Sequence, residues 1–201
     1  MSGTYVLAVT NDAPFKAIAE LVAYAKANPG KINLASSGIG TGPHMAGELF
    51  KMIAGVDIVH VPYRSAAAAL TDLLSGQVQI MFPVPAAATE HIREGTLRPL
   101  AVGTATRWET LPDVPALGEF LPGFEASAWF GIVAPRNTPA GIVDKLNNEV
   151  NGALADPKIK ARLANLGGTV LASSPTEFGN LIAEETKKWG EVIRTANIKP
   201  N

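Results

Sequence analysis

The sequence predicts an α/β fold, with a mainly parallel sheet covered by helices on both faces. Three observations carry that expectation. Short apolar β runs alternate with amphipathic helical stretches from residue 5 to residue 102. The connections carry stop and turn signals: Asn28-Pro29-Gly30, Gly55 and Gly76 each end a helical pattern. The stretch KINLASSGIGTGPHMAGELFKMIAGVDIVHVPYRS, residues 31–65, then reads as a complete β-turn-helix-β unit.

Each element follows from its local pattern. Residues 5–9 form an apolar β run and 11–14 a turn. Residues 16–28 form a helix with Ile18, Leu21, Val22 and Ala25 on one face. Residues 32–35 form a strand, residues 36–42 a polar glycine-rich turn, and a helix starts near Pro43 with Met45, Leu49, Met52 and Ile53 at helical spacing. Residues 58–61 are a strand, 66–75 a helix, 78–82 a strand, 85–94 a short helix and 97–102 a strand. Residues 107–124 read as irregular, broken by Pro112, Pro115 and Pro122. SAWFGIVA, residues 127–134, reads as one apolar strand. Thr138 is placed to cap a helix with Pro139 at its first position, bearing Ile142, Leu146, Val150 and Ala153. Asp156-Pro157 opens a shorter helix holding Ile159, Leu163 and Leu166, and residues 169–171 form a short strand. Ser174-Pro-Thr-Glu177 is a capping box, followed by a helix carrying Phe178, Leu181, Ile182, Trp189, Val192 and Ile193.

Composition narrows the function classes. The 201 residues are 47% hydrophobic and 17% charged, enough for a packed core and against disorder. A net charge of −1 gives no reason to expect nucleic acid or a membrane surface as partner. Cysteine is absent, which excludes disulfides, thiol catalysis and thiolate metal sites. No run of 18 apolar residues is present, and the start MSGTYVLAVT has neither a basic n-region nor a cleavage site, so no signal peptide is expected in this chain.

The candidate site lies at the strand-to-helix turns. In the turn after the first inner strand, Ser36, Ser37 and Thr41 supply hydroxyls, and Gly38 and Gly40 allow close approach to the backbone. A helix N-terminus there offers free N–H groups and the positive end of the dipole, so an anion is favoured without charged side chains. The competing reading is a plain loop with His44 on an exposed first helical turn. A metal role for His44 is disfavoured, because no second ligand stands at the right spacing. The next turn, His60-Val-Pro-Tyr-Arg-Ser65, offers Arg64 for a bidentate carboxylate pair and Tyr63 as a packing surface, with Ser65 beside them. His60 reads better as a structural histidine within its strand. Met81-Phe-Pro-Val-Pro85 makes a rigid wall at Pro83 or a simple strand stop. Parallel strands place all three turns on one edge, where open α/β sheets hold their ligands. Gly38-x-Gly40 fails as a dinucleotide fingerprint, since Pro43 occupies the third glycine position. No phosphate-loop, serine-hydrolase or metalloprotease motif occurs and no carboxylate pair stands out, so no catalytic residue, cofactor or metal is assigned.

The stretches LVAYAKANPGKINLASSGIGT, HMAGELFKMIAG, DIVHVPYRS, ALTDLLSGQVQIMF, LRPLAVGTATR, LPDVPALGE, PGFEASAWFGIVAP and the final KKWGEVI carry a family resemblance over essentially the whole chain. The chain resembles the solute-binding proteins of tripartite tricarboxylate transporters, the Bug (TctC-like) family. The resemblance implies a periplasmic-binding-protein-like fold of type II, a periplasmic location, a small carboxylate ligand and the transporter's membrane components as partners. It also implies that Ser36, Ser37, Gly38, Gly40, Thr41, His44, Tyr63 and the turn after Phe82 hold the ligand acid. Three departures stand out. Arg64-Ser65 replace the usual Lys-Gly, Pro83 stands where an acidic residue is common, and the family's N-terminal portion is not in this sequence. The implied organisation is one complete lobe, residues 3–124, with a crossover strand and C-terminal fragment of the other, residues 125–201. A truncated, binding-impaired receptor is the expectation, with a small α/β enzyme holding an anionic substrate on the same turn as the alternative. The apolar faces of the C-terminal region further lead us to expect a homodimer formed through it.

Overall fold

The computed structural model describes residues 2–109, 111–165 and 167–199. Its strands are β1 (Ser2–Thr4), β2 (Val6–Thr10), β3 (Asn33–Ser36), β4 (Val59–Pro62), β5 (Ile80–Met81), β6 (Leu97–Val102), β7 (Ser127–Trp129) and β8 (Gly168–Thr169). Its α-helices are α1 (Ile18–Ala27), α2 (Gly42–Ala54), α3 (Ala66–Leu74), α4 (Pro85–Arg93), α5 (Ala140–Ala155), α6 (Pro157–Asn165) and α7 (Pro175–Thr195). Five strands form the main sheet in the order β4-β3-β5-β2-β6. β3 runs parallel to β4 and β5, whereas β2 runs antiparallel to both β5 and β6. Four strands therefore share one direction and β2 alone opposes them. β2 needs no crossover helix to reach its neighbours, because it enters the sheet from the edge where the others leave it.

Side-chain alternation along each strand builds two hydrophobic layers. Leu7, Val9, Leu34 and Ile80 face one layer, with Leu21 of α1 and Leu49 and Phe50 of α2. Ala8, Ala35 and Met81 face the other, with Ala69 and Leu73 of α3. Helices thus cover both faces, as the sequence predicts. The first layer also takes in Val192 of α7, with Trp189 and Ile198 packed against it. The last helix therefore folds back on the main lobe, so these two residues are covered within the chain.

A second sheet of order β7-β1-β8 stands apart from the first, all its pairs antiparallel. Gly3 and Thr4 belong to this small sheet, and the chain enters the main sheet only at Val6. Strand β7 stops at Trp129, short of the strand expected through residue 134. Its partner β1 has only three residues, so the backbone beyond Trp129 finds no ladder, and Ile132 and Val133 stand 71% and 75% exposed. Thr138 does not cap α5 as expected: its Oγ1 donates to the Pro135 carbonyl at 2.8 Å, and Pro139 occupies the N-cap position. The capping box at Ser174 and Glu177 forms as predicted, each side chain accepting from the other's backbone N–H. Asp156 Oδ1 accepts from the Lys158 and Ile159 amides and so opens α6. Leu166, expected on α6, lies outside the described residues. Helix α5 buries none of its residues, leaving Ile142 and Leu146 exposed.

Candidate functional site

The carboxyl ends of β3, β4 and β5 and the entry of β2 meet on one edge of the main sheet. The Pro83 carbonyl accepts from the Val6 amide at 3.0 Å, and Gly103 N–H donates to the Tyr5 carbonyl at 2.7 Å. Pro83 is buried. It therefore fixes the corner of this edge through its carbonyl.

The turn between β3 and α2 is built by its own side chains. Ser36 is fully buried. Its Oγ accepts from Gly38 N–H at 3.2 Å and lies 2.6 Å from His60 Nε2. Thr41 Oγ1 donates to the Gly38 carbonyl at 2.7 Å, and Thr41 N–H donates to the same oxygen at 3.3 Å. Gly40 N–H donates to His44 Nδ1 at 3.0 Å. Gly38 has φ +128°, a conformation that strongly favours glycine.

This network revises how the turn is used. The Ser36 and Thr41 hydroxyls and the amides of Gly38, Gly40 and Thr41 hold the turn in shape and already have partners. The N–H groups of Ser37, Ile39, Gly42 and His44 have no acceptor among the described residues. Thr41 occupies the N-cap position of α2 without a side-chain capping bond. The helix therefore presents its positive end, with backbone donors still unpaired.

His44 is 4% exposed, not on an exposed first turn. It stacks on His60 with ring centroids 3.7 Å apart, and Glu48 Oε1 lies 3.7 Å from its Nε2. Lys51 completes the row through a 2.8 Å bond to Glu48 Oε1. Burial pushes the Glu48 carboxyl up, but hydrogen bonds from His44 and Lys51 outweigh it and hold the group below 4.5. Burial lowers His60 from 6.5 to about 4, and positive charge at His44 and Lys51 adds to the effect against the pull of Glu48. His60 is thus a structural histidine, as its place in a strand implies. Its hydrogen bond to Ser36 nevertheless makes it a support of the turn, a role that only the parallel register of β3 with β4 creates.

The second turn brings less to the site. Tyr63 Oη donates to Asp72 Oδ2 at 2.7 Å, which ties the phenol to α3. Burial, then the Asp72 bond and charge, push the phenol up to about 12. Ser65 caps α3 by accepting from Ala68 N–H at 3.2 Å. Arg64 is exposed between them. The sequence reading missed Tyr5: it stands one residue before β2, and its hydroxyl lies against Gly42, where a Cβ would come within 1.8 Å of it. Only the antiparallel entry of β2 brings it there. Among the described residues no group of three or more His, Asp or Glu could hold a metal ion.

A solved structure described as R. palustris Rpa4515 with adipate superposes with a TM-score of 0.87 at 34% identity, covering 100% of this chain and 67% of that one. MatC from Rhodopseudomonas palustris with bound malate gives 0.81 at 32% identity, covering 96% and 67%. The UPF0065 protein in the tcbD-tcbE intergenic region of Pseudomonas sp. strain P51 is 36% identical over 198 residues, 98% of this chain and 59% of its own length. The chain thus spans about three-fifths of that curated relative. The family model described as tripartite tricarboxylate transporter family receptor, TctC, matches residues 1–198. With the α/β periplasmic-binding-protein fold expected from the sequence also found in the solved relatives, the chain belongs to the TctC family, a family of solute-binding receptors and not of enzymes.

Proposed function

We propose that this chain is an extracytoplasmic solute receptor for a small dicarboxylate, working in the periplasm and delivering its ligand to the membrane components of a tripartite tricarboxylate transporter. The observation that carries the reading is the uncapped N-terminus of α2, with unpaired N–H groups at Ser37, Ile39, Gly42 and His44. A carboxylate supplies acceptors only, so it matches a cradle made only of donors. Adipate and malate in the two solved relatives support the same ligand class. Arg64, exposed at the edge of the site, is the cation proposed for the second carboxylate. Pro83 stands at the corner and itself offers no carboxylate to pair a ligand amine. The site residues proposed are thus the 37–42 turn with His44 behind it, flanked by Arg64 and Pro83.

Calorimetric titration tests this. Succinate, malate or adipate is expected to bind more tightly than aspartate or glutamate. Aspartate or glutamate binding at least tenfold tighter overturns it. A dicarboxylate at 100 times its Kd should add about 2.7 kcal/mol of stability, read from a thermal shift.

The exposed apolar side chains of Ile132, Val133, Ile142 and Leu146 support a homodimer through the C-terminal region. Light scattering over a dilution series is expected to give twice the chain mass at micromolar concentration. A monomer that does not bind a hydrophobic dye contradicts it.

A further inference from the structure

Tyr5 is 7% exposed, yet its hydroxyl has no hydrogen-bond partner among the described residues. Its ring belongs to the same buried cluster as Met45 and Ala46, from the first turns of α2. The polar end of the side chain occupies the space above Gly42. A Cβ at position 42 would lie 1.8 Å from Tyr5 Oη and 2.8 Å from Cζ. The hydroxyl therefore stands at the first residue of α2, beside the unpaired Gly42 N–H and next to the N-cap that Thr41 leaves uncapped.

The ring is buried, but the hydroxyl is not among the fully enclosed unpaired polar atoms: it reaches the mouth of the binding edge with no protein partner, where a ligand can meet it. The neighbours account for the phenol's position but not for its hydroxyl. A phenylalanine would fill the same space above Gly42 and in the core. Burial also pushes the Tyr5 phenol above 10, so at neutral pH it is protonated and available as a donor.

We propose that Tyr5 is a ligand-binding residue, its Oη donating to one oxygen of a carboxylate whose other oxygen is held by the N–H groups at the start of α2. The proposal rests on reading that turn as the carboxylate site. It makes Tyr5 a specificity residue: the backbone N–H groups can only donate and the phenol is free to donate, so an ionised carboxylate satisfies all of them with charge-assisted bonds. A carboxamide has a single acceptor oxygen, so it either faces a donor with its N–H or makes the phenol accept in a neutral, weaker bond.

The experiment compares the wild-type chain with Tyr5→Phe by calorimetric titration with adipate and with its monoamide, and by ligand-free thermal melting. Adipate binding is expected to weaken by about tenfold or more, the range for a hydrogen bond to a charged group. The preference for adipate over the monoamide is expected to narrow. The ligand-free melting temperature is expected to stay unchanged, because the hydroxyl has no partner inside the protein. Affinity within about twofold of wild type overturns the Tyr5 assignment alone. A clear fall in the ligand-free melting temperature also overturns it, since the hydroxyl would then serve the fold. Failure of the wild-type chain to bind adipate, malate or succinate removes the carboxylate reading and this inference with it.

Discussion

Phe82→Ala is expected to lower the unfolding free energy by about 3–5 kcal/mol, the range for deleting a fully buried aromatic ring. Phe82 is fully buried, with ring centroids 6.2 Å from Phe50 and 6.3 Å from Phe124. It links α2, the end of β5 and the segment leading to β7. Its truncation removes partners from two rings at once. Because Phe82 directly precedes Pro83, whose carbonyl ties the edge to Val6, the loss should loosen the corner of the site as well. Urea denaturation measures it. A loss below about 1 kcal/mol would show that the ring chain does not hold the lobe together.

Acid is expected to destabilise the protein well above the range of ordinary carboxylates. In the fold His60 titrates near 4, against 6.5 for the free group, because burial and the charges of His44 and Lys51 oppose its protonation. On acidification the unfolded chain takes up this proton first. The stability linked to His60 is therefore complete above pH 6.5 and falls as the pH drops towards 4, by at most about 1.4 kcal/mol per pH unit. Glu48 acts in the same direction over a lower window: its carboxyl is held below 4.5, so its contribution is present above 4.5 and is lost as the pH falls through its folded value. Urea melts between pH 7 and pH 5 should show stability rising with pH in the wild type and a flatter profile in His60→Asn. Equal slopes in the two proteins would contradict the assignment to His60.

The architecture was legible because its signals are local. Alternation along residues 32–35 and 97–102, helical spacing in residues 43–53 and the glycine stops at 55 and 76 all act within a few residues. Each maps onto an observed element to within about two positions. The anion turn was legible for the same reason, since a glycine-rich turn between a strand and a helix is itself a sequence pattern. How the turn uses its groups was not legible. Ser36 faces inward because β4 lies beside β3 and places His60 2.6 Å away. Thr41 turns back to Gly38, and His44 is covered by the His60 ring. Those facts depend on register between distant segments. Tyr5 was missed because its strand runs against its neighbours, which an apolar run of five residues does not reveal. The strand expected through residue 134 failed because strand length depends on the partner, and β1 offers only three residues.

Whether the unpaired amides at the start of α2 hold a carboxylate is decided by backbone amide NMR during titration with adipate. The largest, saturable shifts are expected at the N–H signals of Ser37, Ile39, Gly42 and His44. Those of Gly38, Gly40 and Thr41, already hydrogen-bonded within the turn, should move less. Saturable binding whose shifts fall elsewhere and leave these four amides unmoved would contradict it.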